Sequence, residues 1–352
     1  MDQQTVRKRR GRNRPQQTTG ILVRTINDAR GIAEPLERYG ELLSGQVVGL
    51  YNAIHGLPAT SRHVLARLKQ LFHETEGLPA TVKILLRPEY QWRYGFNHQT
   101  VYRRAPGTAR LLLQMGLYDQ ASLAWAGASR VVQGGSEARQ APADHDAALS
   151  LVMSSLEIDI RRCLDLSFIT HIEIIKNASA EAKRSAKPLS IPIGTLAHEF
   201  TSERRIEIAG ARLKPDAMFG IKYPPVNDPD FRFFALEYDR STEDVEPTKN
   251  LARSSWLRKI LAYAAISDGP SPRYTSYLKI PNLLVLCLFS DRTRMQNVMR
   301  LVERCATDSQ QFLFKTIQPV DPLLNSAPIP QLLDEPWERI GGSFNIRTLE
   351  RR

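Results

Sequence analysis

The residues of this sequence best suited to chemistry are three carboxylates. Asp216, within Lys214-Pro215-Asp216-Ala217, interrupts a strand that begins near Ile206, and Glu237-Tyr238-Asp239 ends the strand from Phe231 to Leu236. Side chains alternate along a strand, so Glu237 and Asp239 point to the same side. With the two strands as neighbours, Asp216 approaches the same point. Clustered carboxylate oxygens suit Mg2+ or Mn2+, which keep several waters and bind through one or two acidic groups. A metal held in this way activates water and offsets the charge building on a phosphate during in-line attack. A nearby lysine adds stabilisation to the developing anion. Each acid also has a plainer reading: Asp after Pro often begins a turn, and an acidic pair at a strand end is often merely solvated.

The elements that must position these acids follow from apolar periodicity. A helix from about Asp144 to Leu164 leads into an alternating strand at Phe168–Ile175, then a polar segment around Ala178–Ser190. A strand or bent hairpin is expected at Ile206–Ile221, a strand at Phe231–Tyr238 and a helix from about Val245 to Ile266. Leu283–Phe289 has the length of a buried strand, Asp291–Cys305 is helical, and Phe312–Lys315 is a last short strand. The order predicts an antiparallel meander with one crossover helix, in an α/β (α+β) mixed sheet flanked by helices over residues 144–320, with a C-terminal extension over 321–352.

The first third has a different pattern. Residues 1–19 carry Arg7, Lys8, Arg9, Arg10, Arg12 and Arg14 and almost nothing apolar, so a disordered basic tail is expected, one that binds phosphates or only aids solubility. Over 20–118, Leu42, Leu43, Val47, Val48 and Leu50 suit one amphipathic helix, and Gly56–Thr60 a tight turn. Val64, Leu65, Leu68, Leu71 and Phe72 then line one side of a second helix, whose other side presents Arg62, His63, Arg67 and Lys69. Helix, tight turn and basic helix is the geometry that lays a recognition helix in a major groove. Strands at Val82–Arg87 and Gln99–Arg104, with a loop carrying Tyr90, Trp92, Arg93 and Tyr94, resemble the wing of a winged helix-turn-helix, and Pro106–Met115 closes the module. Residues 61–115 hold nine Lys or Arg against three Glu, which favours DNA over a plain packing module. The Ala-, Gly-, Ser- and Gln-rich stretch 119–143 is a linker.

The whole chain of 352 residues has a formal net charge of +11, which draws polyanions. Its longest apolar run, Leu283–Phe289, is too short to span a bilayer, and no secretory signal follows the charged N-terminus. Cys163, Cys287 and Cys305 lie far apart, without zinc or disulfide spacing. A reduced, cytoplasmic protein is expected, with no membrane role. His145, His171 and His198 lack zinc spacing, and the loops that mark nucleotide use and serine hydrolysis are missing.

The strings Lys214-Pro215-Asp216-Ala217, Phe233-Phe234-Ala235-Leu236-Glu237-Tyr238-Asp239-Arg240-Ser241-Thr242 and Arg258-Lys259-Ile260-Leu261-Ala262-Tyr263 resemble the replication-relaxation family of plasmids and integrative elements. The resemblance covers about residues 36–290. It implies a winged helix followed by a domain similar to the PD-(D/E)xK, restriction-endonuclease-like fold. It assigns Asp216 and Glu237 to the two acidic positions of the nuclease motif. Where that motif has lysine, this chain has Asp239, a possible third metal ligand, so the lysine would come from Lys259 on the following helix. In the same arrangement Glu157 of the leading helix is a further candidate ligand, although an isolated acid on such a helix is commonly solvated. The resemblance implies double-stranded DNA as partner, together with a relaxase or replication protein. Three readings stay open: a Mg-dependent DNA nuclease, a non-catalytic accessory factor or transcriptional regulator with a degenerate nuclease fold, and a protein scaffold with incidental charge.

Overall fold

Helical spacing of apolar residues and a few strong caps determine most elements. The structure, a computed structural model, describes residues 25–56, 61–73, 83–86, 100–127, 140–201, 204–225, 231–239, 243–247, 251, 254–318, 329 and 332–349. The expectations for the basic tail, the turn at 57–60 and the loop bearing Arg93 lie outside the described residues, as do residues 128–139 of the expected linker. The chain divides into two units, Met1–Leu123 and Ala124–Arg352.

In the first unit α1 (Ile26–Asp28) runs through a π-helical segment (Ala29–Ala33) into α2 (Glu34–Tyr39). Thr25 and Asp28 cap its start reciprocally, each side chain bonded to the other's backbone N–H. β1 (Glu41–Leu43), α3 (Ser44–His55) and α4 (Ser61–Phe72) follow, then β2 (Leu85–Leu86), β3 (Val101–Arg104) and α5 (Pro106–Gln114). The three strands form one antiparallel sheet in the order β1-β3-β2. Leu42 and Leu43, expected at the start of a helix, pair instead with Tyr102 and Val101. Gly56 ends α3 in the left-handed region at φ 64°, where a side chain is strained. α6 (Gln120–Ala126) follows α5.

The second unit opens with α7 (Gln140–Arg162), close to the expected leading helix. The expected strand at Phe168–Ile175 is cut short: β4 is only Ser167–Ile169, and α8 (His171–Asn177) takes the rest. Thr170 is the reason. Its hydroxyl accepts the Glu173 N–H at 3.3 Å while the Glu173 carboxylate accepts the Thr170 N–H at 2.7 Å, a capping box that starts a helix. α9 (Ala180–Arg184) follows, and β5 (Ile191–Thr201) pairs with β6 (Arg204–Leu213) as a separate two-stranded ribbon. The sequence gives no clear signal for β5, because Pro192 and Gly194 lie where its register shifts and its alternation breaks. The expected element Ile206–Ile221 is therefore two strands with different partners, parted by Lys214-Pro215-Asp216. β7 (Ala217–Lys222) pairs with β8 (Phe231–Asp239) in the main sheet.

The expected helix from Val245 begins only at Trp256. Pro247 disfavours an earlier start, and Ser255 caps α10 (Trp256–Ser267) by accepting the Arg258 N–H at 3.3 Å. α11 (Arg273–Leu278), β9 (Leu284–Phe289), α12 (Arg292–Cys305) and β10 (Phe312–Thr316) follow. β11 (Trp337–Arg339) and β12 (Gly342–Phe344) extend the sheet. The seven strands run β12-β11-β10-β9-β8-β7-β4, with β8, β9 and β10 parallel and the other neighbours antiparallel. The fold is mixed α/β, with a second crossover, through α12, beyond the one expected.

Met218, Phe233, Ala235, Val285, Phe312 and Phe314 bury one side of this sheet against α10 and α12. Phe168, Phe219 and Phe234 stack on the other, with centroids 5.6 and 5.1 Å apart. Trp337, from the expected extension, is wholly buried. Trp337→Ala should therefore cost about 4 kcal/mol, as removal of a large core aromatic usually does; urea melts will check this, and an unchanged midpoint would place β11 outside the folded core.

Candidate active site and nucleic-acid interface

β7 and β8 set the acids by register. Ala217 faces Leu236 in the antiparallel ladder, so Asp216 stands level with Glu237, and Asp216 Oδ2 accepts the Tyr238 N–H at 2.9 Å. Glu237 points toward α10. Its Oε1 accepts the Tyr263 hydroxyl at 2.7 Å and its Oε2 lies 2.9 Å from Lys259 Nζ. Lys259 and Tyr263 are four residues apart and so share one helical face. Lys259 Nζ also lies 3.1 Å from Glu243 Oε2 and 5.3 Å from the Trp256 ring centroid.

Burial here is graded. The Glu237 side chain is 0% exposed and Lys259 17%, whereas Asp216 is half-buried, so solvent meets the group at Asp216 and Lys259. Burial pushes the Glu237 carboxyl up to about 7 against the opposing pull of Lys259. Desolvation works to lower Lys259, but Glu237, Asp216 and Glu243 outweigh it and hold the ammonium above the ordinary lysine range. Burial and the neighbouring Glu237 carboxylate raise Tyr263, which stays a hydrogen-bond donor.

Asp239 is held differently. Its Oδ2 accepts Trp256 Nε1 and Arg294 Nε, each at 2.6 Å, and Arg294 also donates to the Glu243 carbonyl. Glu157 is buried in α7 and pairs with Arg161 at 2.8 Å. Among the described residues no three or more His, Cys, Asp or Glu side chains gather closely enough to hold a metal ion. The expectation of a site with Asp239 as third ligand and Glu157 as a fourth therefore meets two acids each bonded to a guanidinium. Asp216 and Glu237 are what the site offers a cation, with Lys259 beside them. Two carboxylates suffice for Mg2+ that keeps waters and shares a phosphate oxygen, but not for a cage built by protein alone.

Tyr263 and Glu243 were not among the expected site residues. The spacing of Tyr263 from Lys259 was a usable signal; Glu243 is brought in by the loop before α10. Arg294 carries no local signal, because only α12 packing near the end of β8 joins it to Asp239.

In the first unit α4 turns Val64, Leu68, Leu71 and Phe72 inward and leaves Arg62, His63 and Lys69 exposed, while Leu65, expected on the inward side, is 40% exposed. Arg67 departs from that set. Its Nε and Nη2 bond the two Asp28 carboxylate oxygens at 2.7 and 2.6 Å, with Asp28 itself only 3% exposed. Burial works to raise Asp28, but the bonds from Arg67 and Thr25 outweigh it and hold the carboxyl below its usual range. Among the described residues no helix is long and apolar enough to cross a membrane. Compared with protein-family models, curated proteins and solved structures, the chain gives no significant match to any.

Two outcomes follow. Because the folded pKa of Glu237, about 7, exceeds its ordinary 4.5, its stabilising contribution is full below pH 4.5 and is lost as pH rises through 7. Glu237→Gln removes that loss, so wild-type stability relative to the variant should fall between those pH values. Taking the difference cancels Asp159, which burial raises to about 6 in both proteins. A difference independent of pH would contradict the reading. Arg67→Ala strands a buried carboxylate and should destabilise the first unit by about 3 kcal/mol in denaturant melts, whereas Lys69→Ala should change little.

Proposed function

We propose that this chain is a DNA-binding protein whose second unit carries a metal-dependent phosphodiester-hydrolysing site formed by Asp216, Glu237 and Lys259, a protein of the replication, relaxation or transfer of a mobile element. The observation that carries this reading is the position of Lys259. The lysine missing two residues after Glu237 is supplied from α10, 2.9 Å from the Glu237 carboxylate and beside Asp216. The element series α7, β4, β7, β8, α10, β9, with a parallel β8–β9 pair, supports a nuclease-like core into which the β5–β6 ribbon is inserted.

The first unit supports duplex docking. Its order of helix, strand, helix, helix, strand, strand and its β1-β3-β2 sheet support a winged helix-turn-helix reading in which α4 would serve as recognition helix. Arg62, His63 and Lys69 are its outward basic side chains. Arg67 serves instead to fasten α4 to Asp28 at the end of α1.

Asp216 and Glu237 would hold Mg2+ or Mn2+, and the ion would supply a polarised water and offset phosphate charge. Asp216, the more open acid, would be the ligand more accessible to that cation. Lys259 stands by to stabilise charge on the phosphate, and Tyr263 fixes the Glu237 carboxylate by holding Oε1. Asp239 contributes rigidity, clamped by Trp256 and Arg294.

One observation favours the accessory-factor reading: Glu237 is wholly enclosed, with both oxygens already contacted. Incubation of supercoiled plasmid with Mg2+ or Mn2+ separates the two. The hydrolytic reading expects nicking or cutting that falls at least about a hundredfold in Asp216→Ala and Lys259→Ala, with gel-shift affinity retained. Intact plasmid with either metal, alongside a normal gel shift, leaves the accessory role. Arg62→Ala with Lys69→Ala should weaken DNA binding and flatten its salt dependence; unchanged binding would contradict docking through α4.

A further inference from the structure

Residues 176–190, which the sequence marks only as polar, carry four Lys or Arg against the single acid Glu181, a formal charge of +3 from four less one. The fold puts this charge beside the open member of the carboxylate pair. The β5–β6 ladder ends with Ile191 paired to Leu213, so the chain enters β5 next to Lys214. Lys214 is two residues from Asp216, at most about 7 Å between Cα atoms. The Ser190 N–H bonds the Lys187 carbonyl at 2.9 Å, which closes a turn between Lys187 and that entry. Lys183 and Arg184 end α9 just before this turn.

The backbone that carries these side chains is held in place. Ser179 caps α9 by accepting the Ala182 N–H at 3.2 Å and donates its own N–H to the Tyr277 carbonyl at 3.0 Å. Pro188, Leu189 and Ser190 are buried, and Arg212 donates to the Ser190 hydroxyl at 3.1 Å and to its carbonyl. The side chains themselves are uncommitted. Lys183, Arg184, Lys187 and Lys214 are all exposed, and among the described residues they form no ion pair, side-chain hydrogen bond or ring contact. Several exposed arginines elsewhere on this unit are neutralised: Arg205 pairs with Glu207, Arg292 with Glu338, Arg304 with Glu246 and Arg347 with Asp334, at 2.7–2.9 Å. Glu181, the acid of the segment, is taken up by Arg273 at 2.8 Å.

Four unneutralised cations strung along one stretch of surface match a polymer with a charge on every unit better than a single small anion. Lysine, a point charge on a flexible stem, meets a backbone phosphate without needing a fixed geometry. We infer that α9, the turn to β5 and Lys214 form a second-unit contact for the sugar–phosphate backbone of duplex DNA, one that leads the strand toward Asp216. The inference rests on the proposed DNA-binding role and adds to it a surface that α4 does not supply. Contacts of this kind set position and affinity and read no sequence.

Fluorescence anisotropy of the full chain on a short mixed-sequence duplex, across a salt series, tests this. Lys183→Gln with Lys187→Gln should weaken binding and lower the slope of log affinity against log salt by about two. Lys214→Gln alone should lower it by about one. Lys222→Gln with Lys279→Gln removes the same charge as the first pair from exposed positions at the other end of the sheet. Lys222 lies six residues from Asp216 along β7, roughly 20 Å, and Lys279 lies just before Asn282, whose amide donates to the Phe231 carbonyl. That control pair should leave the slope unchanged. All five positions are exposed, so each variant should melt like wild type. Wild type that binds no DNA overturns the DNA-binding role and this surface with it. Wild type that binds, while Lys183→Gln with Lys187→Gln keeps the full slope or loses no more than the control pair, overturns this surface alone.

Discussion

A carboxylate with no exposure to water must be neutralised or paired, and Glu237 is paired with Lys259 and bonded to Tyr263. That constraint organises much of the second unit. It fixes the rotation of α10, because only one helical face brings residues 259 and 263 together over the end of β8. It also fixes where α10 begins, since Ser255 caps the helix and the preceding loop must return Glu243 to the ammonium. Asp239 adds a second clamp two residues on: Trp256 and Arg294 tie α10 and α12 to the same strand end. The parallel pairing of β8 with β9 and of β9 with β10 then follows from crossovers through the helices so positioned.

The first unit uses the same physics at smaller scale. Asp28 is buried at the start of the helical entry and Arg67 of α4 satisfies both its oxygens. One basic residue of α4 is thereby diverted from solvent to structure. The outward charge of α4 is smaller than its composition suggests, and it is concentrated at Arg62 and Lys69. A basic residue on a helix thus divides by its partner, not by its type.

The sequence made much of this legible, and the failures have identifiable causes. β8, β9, α4 and α12 follow their apolar periods closely, because each is long and sits directly on a core. Residues 168–175 are apolar enough for either period, and only the Thr170–Glu173 capping box decides for a helix. β5 is hidden by Pro192, Gly194 and its bulges, and β11 and β12 are three-residue strands whose place comes from Trp337 burial. The approach of Asp216 to Glu237 follows from strand alternation and pairing, whereas Lys259 beside Glu237 was suggested only by the resemblance. The engagement of Asp239 by Arg294 was not legible, since it spans 55 residues and depends on packing. The exposed and buried roles within Arg62, Arg67 and Lys69 likewise depended on Asp28, which lies 39 residues before Arg67.

The proposed hydrolytic site requires that Asp216 and Glu237 hold a divalent cation together with a DNA phosphate. Mn2+ binding followed by electron paramagnetic resonance, with and without an uncleaved DNA duplex, tests it most directly. Expected are weak binding by protein alone, clear binding by the protein–DNA complex beyond that of the duplex itself, and loss of that increment in Asp216→Ala. An increment that survives Asp216→Ala, or no increment at all, would contradict it.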